Sequence, residues 1–209
     1  MKDLLPEKFK DIQELAEIND GLIKSATLAY HKIDIRAIKR LIDQGYLEKI
    51  KNGLYRLICD ASSFDPVEKV SQLFSDGVIC MHTALAYYSY IDPNDTDNEI
   101  WDLAFNKDVS KTRFRLKDTK IKPYFLEPAF LTYGVDVVSI KGYDFKIFSR
   151  DRLICECIKF EHKLNPRIFE KVLRRYSEDH QRNMTKLTRY CIKRNVLSKM
   201  ARLFDFSPE

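Results

Sequence analysis

Between Gly21 and Ile58 the chain reads GLIKSATLAYHKIDIRAIKRLIDQGYLEKIKNGLYRLI, and its glycines and apolar residues are spaced so that few local folds are open to it. Ile35, Ile38 and Ile42 recur at i, i+3 and i+7, which predicts an amphipathic helix over residues 34–44. Asp34 stands where a carboxylate accepts from free first-turn amides, and Gly45 where a left-handed C′ residue is commonly required. Residues 46–51 and 54–58 then have strand-like composition around Asn52-Gly53, a dipeptide that tolerates the positive φ angles of a type I′ hairpin turn. Upstream, residues 25–31 predict a short helix. Residues 7–17 predict another, with Phe9, Ile12, Leu15 and Ala16 on one face behind Pro6.

Three helices followed by a hairpin give the order of a winged helix-turn-helix. At roughly 100° per residue, Arg36 and Arg40 point away from the isoleucine face, with Lys39 on its flank. All three are placed to meet phosphates or guanine edges in a major groove. Lys49, Lys51, Asn52 and Arg56 belong to the hairpin, and Lys24, Ser25 and Thr27 to the start of the short helix, where they would hold the DNA backbone. Any solvated helix carries charges on its outer face, and residues 20–58 hold only eight Lys or Arg against four Asp or Glu. The scaffold that presents the charges therefore carries more of the argument than their number.

A length of 209 residues with 44% hydrophobic content suits two domains, 1–65 and 66–209. After a helix over 65–74 and another beginning at His82, residues 98–105, 120–126, 135–141 and 143–148 read as strands, the last two joined by a Lys141-Gly142 hairpin. The expected class is α+β: an N-terminal winged helix-turn-helix, then a mixed α/β domain ending in basic helices. Nothing approaches the roughly 18 uninterrupted apolar residues of a membrane span, and the opening MKDLLPEKFKD has acidic residues where a signal peptide has its apolar stretch, so a cytoplasmic location is expected. Five cysteines, an odd number, form no metal-binding CxxC pair. Cys155 and Cys157, two apart on a helix, diverge, and buried free thiols are expected.

The C-terminal helices are more basic than the first domain. Arg167, Lys171, Arg174 and Arg175 lie opposite Ile168, Phe169, Val172 and Tyr176. Arg182, Lys186, Arg189 and Lys193 then recur at i, i+4, i+7 and i+11. From Arg167 to Phe204 eleven Lys or Arg face three Asp or Glu. Such stripes are either solvated or form a second anionic contact surface, for DNA, RNA or an acidic protein.

Asp136 with Asp144-Phe145-Lys146 has the spacing of a nuclease metal site, yet Asp144 lies at a hairpin turn, where aspartate is common for conformational reasons. His31, His82, His162 and His180 show no metal spacing, and no glycine-rich phosphate loop occurs. No catalytic residue, metal or cofactor is assigned. Trp101, Phe105, Tyr124, Phe125 and Tyr87-Tyr88 are interleaved with aliphatic residues and read as core in preference to a base-stacking platform.

Gly21, Leu41, Gly45, Leu47, Lys49, Gly53, Leu54 and Tyr55 match a pattern that resembles the N-terminal domain of AbiEi-type antitoxins. The His82-Thr83-Ala84-Leu85 segment is similar to the stretch after the wing in that family. Residues 149–160 resemble its later helix, although Cys155-Glu156-Cys157 departs from the common acidic-apolar order. The resemblance implies an antitoxin of a phage abortive-infection system that binds double-stranded operator DNA and represses its own operon. It also implies functional antagonism of a nucleotidyltransferase toxin without a stable complex. The alternative is a stand-alone winged-helix regulator whose C-terminal domain senses a ligand or dimerises.

Overall fold

The structure, a computed structural model, describes residues 5–19, 21–43, 46–57, 65–97, 99–114 and 120–204, with the side chains of 5–10, 112 and 113 left out of that description. Gly45, Ile58, Cys59, Asn98 and the side chain of Phe9 therefore lie outside the described residues. The chain is α+β and divides into two compact units, up to Pro66 and from Val67 onward.

The first unit consists of α1 (Leu5–Ile18), β1 (Leu22–Lys24), α2 (Ser25–Tyr30), α3 (Ile35–Asp43), β2 (Leu47–Lys51) and β3 (Leu54–Leu57). Its sheet is antiparallel, in the order β1-β3-β2. Ile12 and Ala16 of α1, Leu28 of α2, and Ile38 and Leu41 of α3 close over Ile23, Leu47 and Leu57. Asp34 caps α3 as expected: the Ala37 amide donates to its Oδ1 at 2.7 Å. Removing such a cap typically costs about 1 kcal/mol.

Three local expectations need correction. Ile35 does not join the core and is 83% exposed. The buried stripe of α3 is Ile38 and Leu41, flanked by Ala37 and Ile42, and no turn precedes the first helical residue to cover Ile35. Around the β2-β3 turn Gly53 takes a φ of 78° and Asn52 has no positive φ, so the turn is not type I′, which needs positive φ at both residues. The I′ signature occurs instead at Lys141 (φ 51°) and Gly142 (φ 86°). Finally, the sequence suggests no strand at 22–24, but three residues pair there with β3.

The second unit starts with α4 (Pro66–Leu73), β4 (Val78–Ile79), α5 (Met81–Tyr87), β5 (Ile100–Asn106) and β6 (Lys120–Leu126). It continues through β7 (Val135–Ile140), β8 (Tyr143–Phe148), α6 (Arg150–Lys159), α7 (Pro166–Glu178), α8 (Met184–Lys193) and α9 (Leu197–Leu203). The mixed sheet runs β6-β5-β4-β8-β7, with β4 parallel to β8 and β5 parallel to β6. Every residue of α6 from Asp151 to Ile158 is buried, two acids and one arginine among them.

Those charges are compensated internally. Glu156 forms an ion pair with Arg152 at 2.6 Å and accepts from both Nε and Nη2 of Arg194, at 2.7 and 2.9 Å. The guanidinium of Arg152 lies 4.3 Å from the Tyr133 ring centroid, and that of Arg194 lies 4.3 Å from Phe130. Gly134, at φ 62°, permits this approach: a Cβ there would stand 2.8 Å from Cβ of Arg152. Asp151 accepts from the Tyr176 hydroxyl and the Asn183 amide, each at 2.7 Å, joining α6 to α7 and the start of α8. The four described cysteines are free and buried. Burial and the neighbouring Glu156 push the Cys157 thiol up, while the Cys155 thiol is raised first by its contact with Cys191. The two thiols thus face different surroundings.

Replacing Glu156 by Gln leaves two buried guanidiniums without a counter-charge. Breaking a buried pair from one side costs about 3–5 kcal/mol, and urea unfolding of Glu156→Gln followed through the second unit is expected to show a loss of that size.

Candidate nucleic-acid interface

On α3, roughly 100° separates successive residues, and the buried Ile38 and Leu41 fix which arc faces outward. Arg36 lies almost directly opposite the centre of the buried arc, with Lys39 and Arg40 to either side. All three are exposed, and among the described residues none makes an ion pair. The Arg40 Nε reaches the Arg36 carbonyl at 3.4 Å, a long contact that leaves the guanidinium at the surface. Asp43 is exposed on the same arc. The basic surface is therefore confined to the first two turns.

The remaining assigned residues of this unit are unequal. Lys24, Lys49 and Asn52 are exposed; Ser25, Thr27, Lys51 and Arg56 are half-buried. The Ser25 amide donates to the Gly53 carbonyl at 2.8 Å, so the start of α2 and the hairpin tip are one assembly. A Cβ on Gly53 would come within 3.1 Å of Ser25 Oγ, which keeps that position small. Arg56 does not sit at the tip. It lies on the central strand in register with Glu48, and like Lys51 it has further interactions within the protein. A groove of about 940 Å³ runs between α2, the first turns of α3 and the hairpin, with Ala26, Ala29, Ile33, Ile38 and Tyr55 among its walls.

The second basic surface is smaller than the sequence suggests. Lys171 donates to Asp92 at 3.0 Å and to Asp95 at 2.6 Å, and Arg175 donates to Asp92 at 2.7 Å and to the Ser89 carbonyl at 3.2 Å. Both side chains fasten α7 to the turn after α5, through carboxylates too distant in sequence for a charge count over the helix to include. Arg194 is buried against Glu156, and Lys199 pairs with Glu161. Arg167, Arg174, Arg182, Lys186, Arg189 and Lys193 remain exposed. Lys193 lies 4.5 Å from the Tyr133 ring. None of the six makes an ion pair among the described residues.

Strand register separates the residues of the nuclease pattern. Asp136 pairs with Ile147, whose side chain is buried, whereas Asp144 and Lys146 point to the other face of β8, opposite Ser139 and Val137. The three groups do not converge. His82 holds a partner that the sequence does not reveal: Asp102 Oδ2 accepts from the His82 amide at 2.8 Å and lies 2.9 Å from its Nδ1. Asp102 thereby closes the start of α5, twenty residues away. Trp101, Phe105 and Tyr124 are buried, as core residues should be; Tyr87 is exposed.

No protein-family model matches the chain, and neither does any curated protein sequence. In fold it is similar to the crystal structure of the RV2827C protein from Mycobacterium tuberculosis. The two share 13% sequence identity and superpose with a TM-score of 0.63, over 96% of this chain and 77% of that one. At this identity the likeness is one of fold alone. Among the described residues, no helix is long and apolar enough to cross a membrane.

Hydrogen bonds from Arg175 and then Lys171 hold the Asp92 carboxyl below its usual range, and Lys171 does the same for Asp95. Carboxylates with depressed values stabilise the fold above the ordinary carboxylate range and lose that contribution as pH falls through the depressed values. Carboxyl-carbon NMR titration should find both midpoints below that of an unperturbed aspartate. In the Lys171→Ala, Arg175→Ala protein both should move back toward it.

Proposed function

We propose that this chain is a DNA-binding antitoxin of the AbiEi type, with a winged helix-turn-helix as its first unit. The observation that carries the reading is the surface of α3. Arg36, Lys39 and Arg40 stand exposed on its first two turns, with no ion pair among the described residues, beside a hairpin whose tip is tied to α2. Presented in this way, α3 enters a major groove by its N-terminal end, and Arg36 and Arg40 reach guanine edges or flanking phosphates. Lys49 and Asn52 at the wing, with Lys24, Ser25 and Thr27 at the start of α2, hold the phosphodiester backbone.

Bound upstream of its own coding sequence, the protein represses its operon. The second unit antagonises a nucleotidyltransferase toxin encoded next to it. Lys186, Arg189 and Lys193 form a further cationic stripe along α8, available to flanking DNA, and Arg182, expected on the same helix, lies in the loop just before it.

The Arg36→Ala, Arg40→Ala protein is expected to lose about 1–3 kcal/mol of specific binding for each base contact removed, measured on the promoter duplex against a scrambled one. Equal affinity of native and variant proteins for the promoter refutes the role of α3. Converting Arg182, Lys186, Arg189 and Lys193 to Gln should flatten the dependence of log K on log salt by about 0.9 for each phosphate no longer neutralised; an unchanged slope removes α8 from the DNA interface. The antitoxin assignment is tested by co-expressing the full chain with the neighbouring nucleotidyltransferase gene. Growth should be restored, and continued arrest with soluble protein present argues for a regulator without antitoxin activity.

A further inference from the structure

Ile35 is the least expected side chain of the first unit. It is 83% exposed, a large aliphatic group at the first position of α3, with Arg36 adjacent and Lys39 one turn on. A lone exposed aliphatic needs no explanation by itself. Here, however, Arg36 and Lys39 stand close by, with Asp34 engaged in the cap of α3 and Asp43 two turns on, and the side chain sits at the N-terminal end of the helix. At roughly 100° per residue, Ile35, Lys39, Asp43, Arg36 and Arg40 follow one another around the outward arc, with Ile35 at its edge, where it lines the groove together with Ala26 and Ala29.

The major-groove edge of DNA offers one apolar feature, the C5-methyl of thymine. We infer that Ile35 reads a thymine methyl and that Arg36, next to it, fixes the neighbouring base pair or phosphate. The inference rests on the proposed DNA-binding role and adds a base identity to it: a thymine in each bound site, facing the N-terminal turn of α3. The chemistry distinguishes Ile35 from the cations around it. They favour any phosphate, whereas a branched aliphatic group gains only where water leaves a methyl surface. Lost desolvation of one methyl is worth about fourfold in affinity.

The test uses the full chain and a duplex selected by the native protein from randomised DNA. Each dT of that duplex is replaced in turn by dU, which removes the methyl and nothing else. One or two positions are expected to weaken native binding about fourfold. Ile35→Ala is expected to lose a similar factor on the unmodified duplex and little further at those same positions, because the apolar partner of the methyl is already gone. Its binding to random-sequence DNA and its melting temperature should match the native protein, since the side chain is exposed. Three results overturn the inference while leaving DNA binding intact: no dU position affects the native protein, the two losses add independently, or Ile35→Ala weakens specific and random DNA alike. Failure of the native protein to select any duplex refutes the DNA-binding reading itself, and the inference with it.

Discussion

Glu156 is the group on which the second unit depends. It lies on a helix buried along both sides, and its two oxygens are shared between guanidiniums from α6 itself and from the end of α8. A carboxylate removed from water is costly unless its lone pairs are filled. Here Arg194 approaches in bidentate fashion, and aromatic faces of Phe130, Tyr133 and Phe148 cover the cations. The same geometry ties together segments from three places in the chain: the loop before β7, the centre of α6 and the C-terminal end of α8. The exposed cations of α8 therefore project from a helix whose far end is anchored in the core.

A second group of contacts decides which cations are left to face outward. Asp92 and Asp95 hold Lys171 and Arg175, Glu161 holds Lys199, and Glu156 holds Arg194. In each pair the acid comes from outside the basic helix that it neutralises. Counting charge along α7 to α9 therefore overstates the free positive surface, although it marks correctly that an excess exists. What survives includes Arg167 and Arg174 of α7, Arg182 in the loop before α8, and Lys186, Arg189 and Lys193 along α8.

The parts of this protein that could be read from its sequence are those governed by neighbours in the chain. The Asp34 cap, the hairpins, most helices and the long strands follow from local spacing and turn chemistry. Tertiary contacts overrode the rest. Ile35 carries the right apolar character for a core position, yet its place at the first helical residue leaves nothing to cover it. β1 is only three residues long and exists because β3 has a free edge to pair. Asp102 and His82 meet across β5 and α5, and Asp136 is turned from Asp144 and Lys146 by strand register, an effect no spacing rule contains. Within the candidate interface, Arg36, Lys39 and Arg40 were legible from helix periodicity, while the half-buried setting of Arg56 depends on its place in the central strand.

Helix electrostatics add an independent argument about these cations. A helix favours acids in its first turn and bases in its last, by about 0.3–1 kcal/mol per charge at low ionic strength. α6 is mixed, with Asp151 between Arg150 and Arg152 in its first turn and Lys159 near its end. α3, α7 and α8 follow it only in the last turn, which holds Arg40, Arg175 and Lys193; none has an acid in its first turn, and Arg36, Arg167 and Lys186 stand there instead. Neutral or acidic oxygens at the caps, Asp34, Asn165 and Asn183, satisfy the free amides without neutralising the added cations. Local stability thus does not account for positive charge at these three helix starts. A phosphate brought to such a position would interact favourably with the cation and with the helix dipole together.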